Sequence, residues 1–235
     1  MKYKAILFDM DGTLLPMYME EFTNGYFKYL FAKIRKHGVN PESFASDMWS
    51  GVAAMVGNDG SCTNEEAFWS AFEARTGIPK ERINGDCLEF YSNEFQVAKQ
   101  FTGENPLAVN AIKAAREKAE YVILATNPLF PMVAQEVRMG WVGLSPKDFD
   151  LVTSYETDRF CKPNPAYFTS ICERMGVEPG ECLLIGNDEG EDMNAGKLAG
   201  LDTYLVTNWM IPNDKHPYEG PRGSFEEMIK MLESL

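Results

Sequence analysis

The hydrophobic pattern divides this chain into two regimes. "YKAILF", near the N-terminus, is a short apolar run of strand length. From about Met17 to Phe101 the apolar positions recur at helical spacing instead. In "EEFTNGYFKYLFAKIRKHG" they are Phe22, Tyr26, Phe27, Leu30 and Ile34, and Gly38 is a stop signal. "NPESFASDMWSGVAAMVG", "TNEEAFWSAFEARTG" and "GDCLEFYSNEFQVAKQF" read as three more helices. Thr63 or Asn64 can cap the second of these. After Gly103 the regime changes. The helix "NPLAVNAIKAAREKA" precedes the strand "YVILAT", "PMVAQEVRM" precedes "DLVTS", "PAYFTSICERMG" precedes "CLLIG", and "DMNAGKLAG" precedes "TYLVT". "SFEEMIKMLESL" is a closing helix, and "NWMIPNDKHPYEGPRG" is the least structured stretch of this region.

Strands that alternate with helices imply a mostly parallel sheet covered on both faces. The fold class is therefore α/β. The simplest architecture places the first strand inside the later sheet, with the helical stretch inserted after it as a lid over the strand ends. Residues 1–16 and 103–235 then form a Rossmann-like core, and residues 17–102 form an all-helical cap. Ligands of such sheets bind beyond the C-terminal ends of the strands.

Composition narrows the function classes. The net charge is −13. That balance argues against a nucleic-acid partner and opposes adhesion to anionic membranes. No apolar run is long enough to span a bilayer, and "DMD" interrupts the apolar N-terminal run, which excludes a signal-peptide reading of it. Cys62, Cys87, Cys161, Cys172 and Cys182 are odd in number and lack CxxC spacing, which suits inert thiols in a reducing cytoplasm. The two histidines, His37 and His216, show no pairing pattern.

The chemistry gathers where strands end. "ILFDMDGTLL" places Asp9 and Asp11 one residue apart, on the same side of an extended backbone, where they repel. Thr126 and Asn127 follow the second strand, Lys162 the third, and Asn187, Asp188, Glu189, Glu191 and Asp192 the fourth. In a parallel sheet all four stretches converge on one rim. Asp9, Asp11 and Asp188 offer hard oxygen ligands suited to Mg²⁺, which would relieve the repulsion. Threonine hydroxyl, asparagine amide and lysine ammonium are donors for phosphate oxygens. A carboxylate beside them can act as a nucleophile, and a second can move protons. Gly12 permits close backbone approach. Each stretch alone has a plainer reading: a turn at Asp9–Gly12, a loop start at Thr126 and Asn127, a solvated Lys162, an acidic loop or calcium site at "GNDEGED". Together the plainer readings need four coincidences.

"DMDGT", "LATN", "CKPNP" and "GNDEGED", in this order, resemble the four motifs of the haloacid dehalogenase-like superfamily. The resemblance covers Met1 to Pro16 and Gly103 to Leu235, and the helical insertion resembles that family's C1-type cap. It implies that Asp9 is the nucleophile and Asp11 the general acid and base. It implies Mg²⁺ held by the Asp9 side chain, the Asp11 carbonyl and the Asp188 side chain, and a phosphoryl group held by Thr126, Asn127 and Lys162. The fourth motif departs from the family pattern: Asn187 stands where aspartate is usual, and Asp188 follows it. Asn187 and Asp192 are then supporting residues around the metal ligands, and Glu189 and Glu191 read as solvated surface charges.

The expected activity is Mg²⁺-dependent hydrolysis of a small phosphorylated metabolite through an aspartyl-phosphate. A phosphomutase of the β-phosphoglucomutase type is the alternative, with a non-catalytic phosphate-binding module behind it. Asp11 argues against a dehalogenase, because a halide leaving group needs no acid. The aromatic residues Phe22, Tyr26, Phe27, Trp49, Phe68, Trp69, Phe72 and Tyr91 read as the core of the helices. Met17, Tyr18 and Glu20 lie close enough to the catalytic loop in sequence to touch substrate.

Overall fold

The structure is a computed structural model and describes residues 2–235. Its strands are β1 (Ala5–Phe8), β2 (Tyr121–Leu124), β3 (Leu151–Val152), β4 (Cys182–Gly186), β5 (Asp202–Val206) and β6 (Arg222–Gly223). They form one sheet in the order β3-β2-β1-β4-β5-β6, and every pairing is parallel. The chain adds strands outward from β1 through β3, then returns to add β4 to β6 on the other side. The order thus reverses between β1 and β4, and in such sheets the ligand crevice opens at that reversal.

Alternation along β1 shows how the sheet is buried. Ile6 and Phe8 face one apolar layer, and Ala5 and Leu7 face the other. All four are fully buried. The first layer contains α5 (Ala108–Arg116), α6 (Met132–Trp141) and α9 (Phe225–Ser234); the second contains α7 (Pro165–Met175) and the short α8 (Ala195–Leu198).

Between β1 and α5 lie only helices: α1 (Met19–Ile34), α2 (Phe44–Val56), α3 (Asn64–Thr76), α4 (Lys80–Ser92) and 3₁₀ turns, the longest being Glu94–Phe101. Thr63 caps α3 through a reciprocal pair with Glu66. The two crossings into and out of this insertion lie side by side, since Met17 bridges Thr102 and Gly103 N–H donates to the Pro16 carbonyl at 2.7 Å. No helix among the described residues is long and apolar enough to cross a membrane.

Three elements differ from the pattern reading. The helix expected through "GDCLEFYSNEFQVAKQF" breaks at Ser92 and Asn93, whose side chains bond back to the carbonyls of Leu88 and Glu89 and compete with the helix ladder. "DMNAGKLAG" divides between a wide π-type turn, Glu189–Asn194, and α8. The loop "NWMIPNDKHPYEGPRG" carries an edge strand, β6, and a fully buried Tyr218.

The insertion is fastened to the core through aromatic rings. Phe95 is fully buried, with ring centroids of Phe22, Tyr26, Phe90 and Tyr91 within 6.1 Å on the helical side. On the core side it meets Trp141 of α6 at 5.4 Å and Phe130 at 6.2 Å. Phe95→Ala should therefore cost about 3–5 kcal/mol in urea unfolding. A loss under about 1 kcal/mol, the scale of an ordinary substitution, would mean that this ring does not fasten the two parts.

Candidate active site

β1 delivers Asp9 to the reversal point. Asp9 N–H donates to the Ile185 carbonyl of β4 at 2.9 Å, which extends the ladder by one residue. The chain then turns sharply: Thr13 and Leu15 N–H donate to the Met10 carbonyl, and Gly12 N–H donates to Leu15. Gly12 has φ +85°, and a Cβ there would lie 2.2 Å from Asn187 Nδ2. Glycine is thus required twice, by conformation and by the nearness of the β4 loop.

Lys162 occupies the centre. Its side chain is 1% exposed, and its ammonium donates to Asp9 Oδ1 at 2.7 Å and Asp192 Oδ1 at 2.6 Å. Burial works to lower its pKa, but the two carboxylates outweigh burial and raise it, so it stays charged. Asp192 Oδ2 accepts from the Asn187 and Asp188 amides, both at 3.1 Å. One buried carboxylate thus joins Lys162 to the loop after β4. Burial raises the Asp192 pKa against the pull of Lys162. The Thr13 hydroxyl lies 3.1 Å from Asp9 Oδ2 and 3.1 Å from Asn187 Oδ1.

Asp11 is turned elsewhere. The strand ends at Phe8, so the alternation expected to align Asp9 with Asp11 does not reach Asp11. Its carboxylate meets Arg138 of α6, whose Nη1 donates to Oδ1 at 2.7 Å and Oδ2 at 2.6 Å. Arg138 is fully buried, bonds Gln135 through Nη2 and lies over the Phe130 ring at 4.4 Å. It comes from the layer that covers Ile6 and Phe8. Lys162 packs near Tyr167 and Phe168, in the other layer. Each carboxylate therefore has its own buried cation, which relieves the repulsion with protein groups alone. Burial raises the Asp11 pKa, Arg138 opposes that rise, and Asp9 adds to it.

Arg138 is the residue that pattern reading missed. A signal for it exists in "MVAQEVRM": Gln135 and Arg138 share the buried stripe of α6 with Ala134, Met139 and Trp141. An arginine in an apolar stripe must have a buried partner.

The other expected residues do come to this rim. Thr126 is fully buried at the end of β2, and its hydroxyl has no hydrogen-bond partner. Asn127 accepts from Lys162 N–H at 3.3 Å and donates to Glu191 at 3.1 Å. Two readings need correction here. Glu189 is 4% exposed, accepts from Asn213 N–H and so holds the loop after β5. Glu191 is half-buried, and burial pushes its pKa up to about 7 against the pull of Lys162. Neither is a solvated surface charge, because the loop after β5 holds Glu189 and Glu191 turns to Asn127 at the rim.

Among the described residues, no three histidine, cysteine or carboxylate side chains are grouped to hold a metal. The oxygen donors present are two carboxylates and one carbonyl. The Asp11 carboxylate is taken by Arg138, while no hydrogen bond to its carbonyl occurs among the described residues. Asp188 uses Oδ1 to accept from Gly190 and Glu191 amides, which leaves Oδ2 free. Asn187 is engaged through both amide atoms, by Thr13 and the Trp209 carbonyl. An all-oxygen set of Asp9, the Asp11 carbonyl and Asp188 suits a hard divalent cation.

These residues floor a cavity of about 280 Å³ that α1 and α2 roof. Met19 and Thr23 line it, whereas Met17, Tyr18 and Glu20 do not: Met17 pairs with Thr102, and Tyr18 packs on Trp209. Trp49 also lines it and is 49% exposed, unlike Phe22, Phe68, Trp69, Phe72 and Tyr91, which are buried.

The Asp11–Arg138 pair makes a pH-dependent prediction. With its pKa raised in the fold, Asp11 adds stability below its unfolded value, and that is lost as pH rises through the folded value. Leucine at position 138 removes the opposing cation and deepens the loss. Arg138→Leu should cost more as pH rises, reaching roughly 3–5 kcal/mol where Asp11 is left as an unpaired charge. Urea midpoints over a series of pH values read the difference. Equal losses would mean that Arg138 acts through packing alone.

Comparison with known proteins agrees with this arrangement. The model of the haloacid dehalogenase-like hydrolase family matches residues 3–200. The N-acetylmuramic acid 6-phosphate phosphatase of Pseudomonas aeruginosa is 29% identical over 227 residues, which span 94% of this chain and 87% of that one. The phosphoglycolate phosphatase of Psychrobacter arcticus is 24% identical, over 86% of this chain and 83% of its own. In fold, the crystal structure of a HAD phosphatase from Thermococcus onnurineus superposes with a TM-score of 0.62 at 22% identity, over 97% of both chains. With a family match over most of its length and the strand-end groups gathered on one rim, the chain belongs to the haloacid dehalogenase-like hydrolases.

Proposed function

We propose that this hydrolase is a Mg²⁺-dependent phosphatase that cleaves a small phosphoric monoester through a covalent intermediate on Asp9. One observation carries the reading: the Asp9 carboxylate lies at the cavity floor against a buried ammonium, 2.7 Å away. Thr126, next to Asn127 of the cavity lining, has a buried hydroxyl without a partner, which is costly and which a phosphoryl oxygen within reach would satisfy.

In this mechanism an Asp9 oxygen attacks phosphorus, and the bond from phosphorus to the ester oxygen breaks. Asp11 gives its proton to that oxygen. Asp11, now a carboxylate, takes a proton from water, which attacks phosphorus and releases phosphate from Asp9. A group that works first as acid and then as base needs neither form strongly favoured. Burial favours the acid form of Asp11, and Arg138 favours the carboxylate. Lys162, Thr126 and Asn127 hold the transferring oxygens. Asp9, the Asp11 carbonyl and Asp188 would hold Mg²⁺, which when bound offsets the negative charge of the phosphoryl group and carboxylates. A phosphomutase would have to retain a sugar between two transfers, and the roof of the cavity offers no array of hydrogen-bonding groups for that. The five free cysteines fit a reducing cytoplasm, and the acidic balance of the chain argues against a nucleic-acid partner.

Asp9→Asn keeps the shape and removes the nucleophile. It should bring hydrolysis of p-nitrophenyl phosphate in Mg²⁺ to background while leaving the protein folded; near-normal turnover by a folded variant defeats the assignment. Metal binding has its own readout. At one hundred times its dissociation constant, Mg²⁺ should stabilise the wild type by about 2.7 kcal/mol, seen as a higher melting temperature than in EDTA at equal ionic strength. Asp188→Asn should lose most of that shift. If it keeps the full shift, the ligand is a different residue, and Asn187→Ala is the variant to melt next.

A further inference from the structure

The cavity is chemically divided. Its floor carries Asp9, Asp11, Asp188, Glu191 and Asp192 with a single ammonium, Lys162. The helical roof contributes Met19, Thr23, Tyr26 and Phe27 from α1 and Trp49, Val52 and Val56 from α2. None of these is charged. The apolar surface also continues outward. Met19 is 44% exposed, Trp49 49%, Val56 40% and Ile211 49%, and all four line the cavity. Exposed apolar residues that are contiguous with a pocket mark a surface waiting for an apolar partner.

We infer that the leaving group is an apolar alcohol, so that the substrates are monophosphates of alkyl or aryl alcohols; this inference rests on the phosphatase reading. The reaction is ROPO₃²⁻ + H₂O → ROH + HPO₄²⁻, with R seated against the helical roof. Three other leaving groups fit this wall poorly. An anionic group, such as a carboxylate or second phosphate, would meet the acidic floor with no lysine, arginine or histidine in the roof to receive it. A sugar would bury several hydroxyls where the roof supplies only the hydroxyls of Thr23 and Tyr26 and the indole N–H of Trp49, and unpaired buried hydroxyls are penalised. An ammonium group would find no carboxylate in the roof. The carboxylates all lie on the floor, where Asp9 and Asp192 already face Lys162 and Asp11 faces Arg138.

The test is a panel of monophosphates in saturating Mg²⁺: ethyl, butyl and hexyl phosphate, 2-phosphoglycolate, glucose 6-phosphate and phosphocholine. With about 0.8 kcal/mol per buried methylene, kcat/KM should rise roughly fourfold per methylene from ethyl to hexyl. Hexyl phosphate should exceed the three polar substrates by on the order of 100-fold, a ratio within reach of pocket discrimination. Val56→Lys adds a cation at the exposed C-terminal end of α2, where a positive charge suits the helix dipole. It should lower the gain per methylene and shift the hexyl phosphate to phosphoglycolate ratio toward phosphoglycolate by up to about fivefold, the scale of an ion pair at an exposed site. A flat chain-length series, or preference for phosphoglycolate, glucose 6-phosphate or phosphocholine, overturns the apolar leaving group and leaves the phosphatase reading standing. No hydrolysis of any member overturns the apolar leaving group, and no hydrolysis of p-nitrophenyl phosphate either overturns both.

Discussion

Lys162 lies buried with its ammonium 2.7 Å from Asp9 and 2.6 Å from Asp192, and the rim of the sheet is organised around that contact. A buried ammonium is tolerable only when opposite charges surround it. Asp9 arrives from β1, Lys162 from the loop after β3, and Asp192 from the turn after β4. Three loops must therefore close on one point for the charge to be satisfied. Asp192 carries the constraint further, since its second oxygen receives the amides of Asn187 and Asp188. The position of the Asp188 side chain thus follows from the position of Lys162.

The same reasoning explains the separation of the two N-terminal carboxylates. Asp9 and Asp11 are near in sequence, yet each is matched with a cation from a different layer of the fold. Their repulsion is reduced without protonating both. Asp9 sits against a lysine that remains charged, which suits a group needed as an anion. Asp11 is balanced between burial and Arg138. Two identical side chains thereby acquire different chemistry from their surroundings.

The helical insertion decides what reaches these groups. Phe22, Tyr26 and Phe95 pack against Phe130 and Trp141 of the core, so the roof is held by apolar contact. One side of α1 serves that packing through Phe22 and Tyr26. Met19, Thr23 and Phe27, in neighbouring turns, face the cavity. The helix that fastens the insertion thus also forms part of the cavity wall.

Local order made much of this legible from sequence. The continuous apolar run of β1 and the alternation of strands and helices after Gly103 require a doubly covered parallel sheet, and such a sheet must bring residues after its strand ends to one rim. Asp9, Thr126, Asn127, Lys162, Asp188 and Asp192 could be read that way because each lies in the segment that connects a strand's end to the next helix. Gly12 could be read too, as a turn residue. Other features depend on what packs against a residue, which spacing does not encode. Arg138 lies 127 residues from Asp11 in sequence, and only the packing of α6 on the sheet joins them. Glu189 and Glu191 look solvated in "GNDEGED" until the loop after β5 meets Glu189 and Asn127 meets Glu191. Trp49 shares the helical spacing of its aromatic neighbours, yet it lines the cavity instead of the core. The sequence by itself determined which residues stand at the strand ends, because periodicity is a property of the local chain. The tertiary structure alone decided which charges are paired and how the cavity wall is composed, because burial and electrostatics depend on contacts between segments distant in sequence.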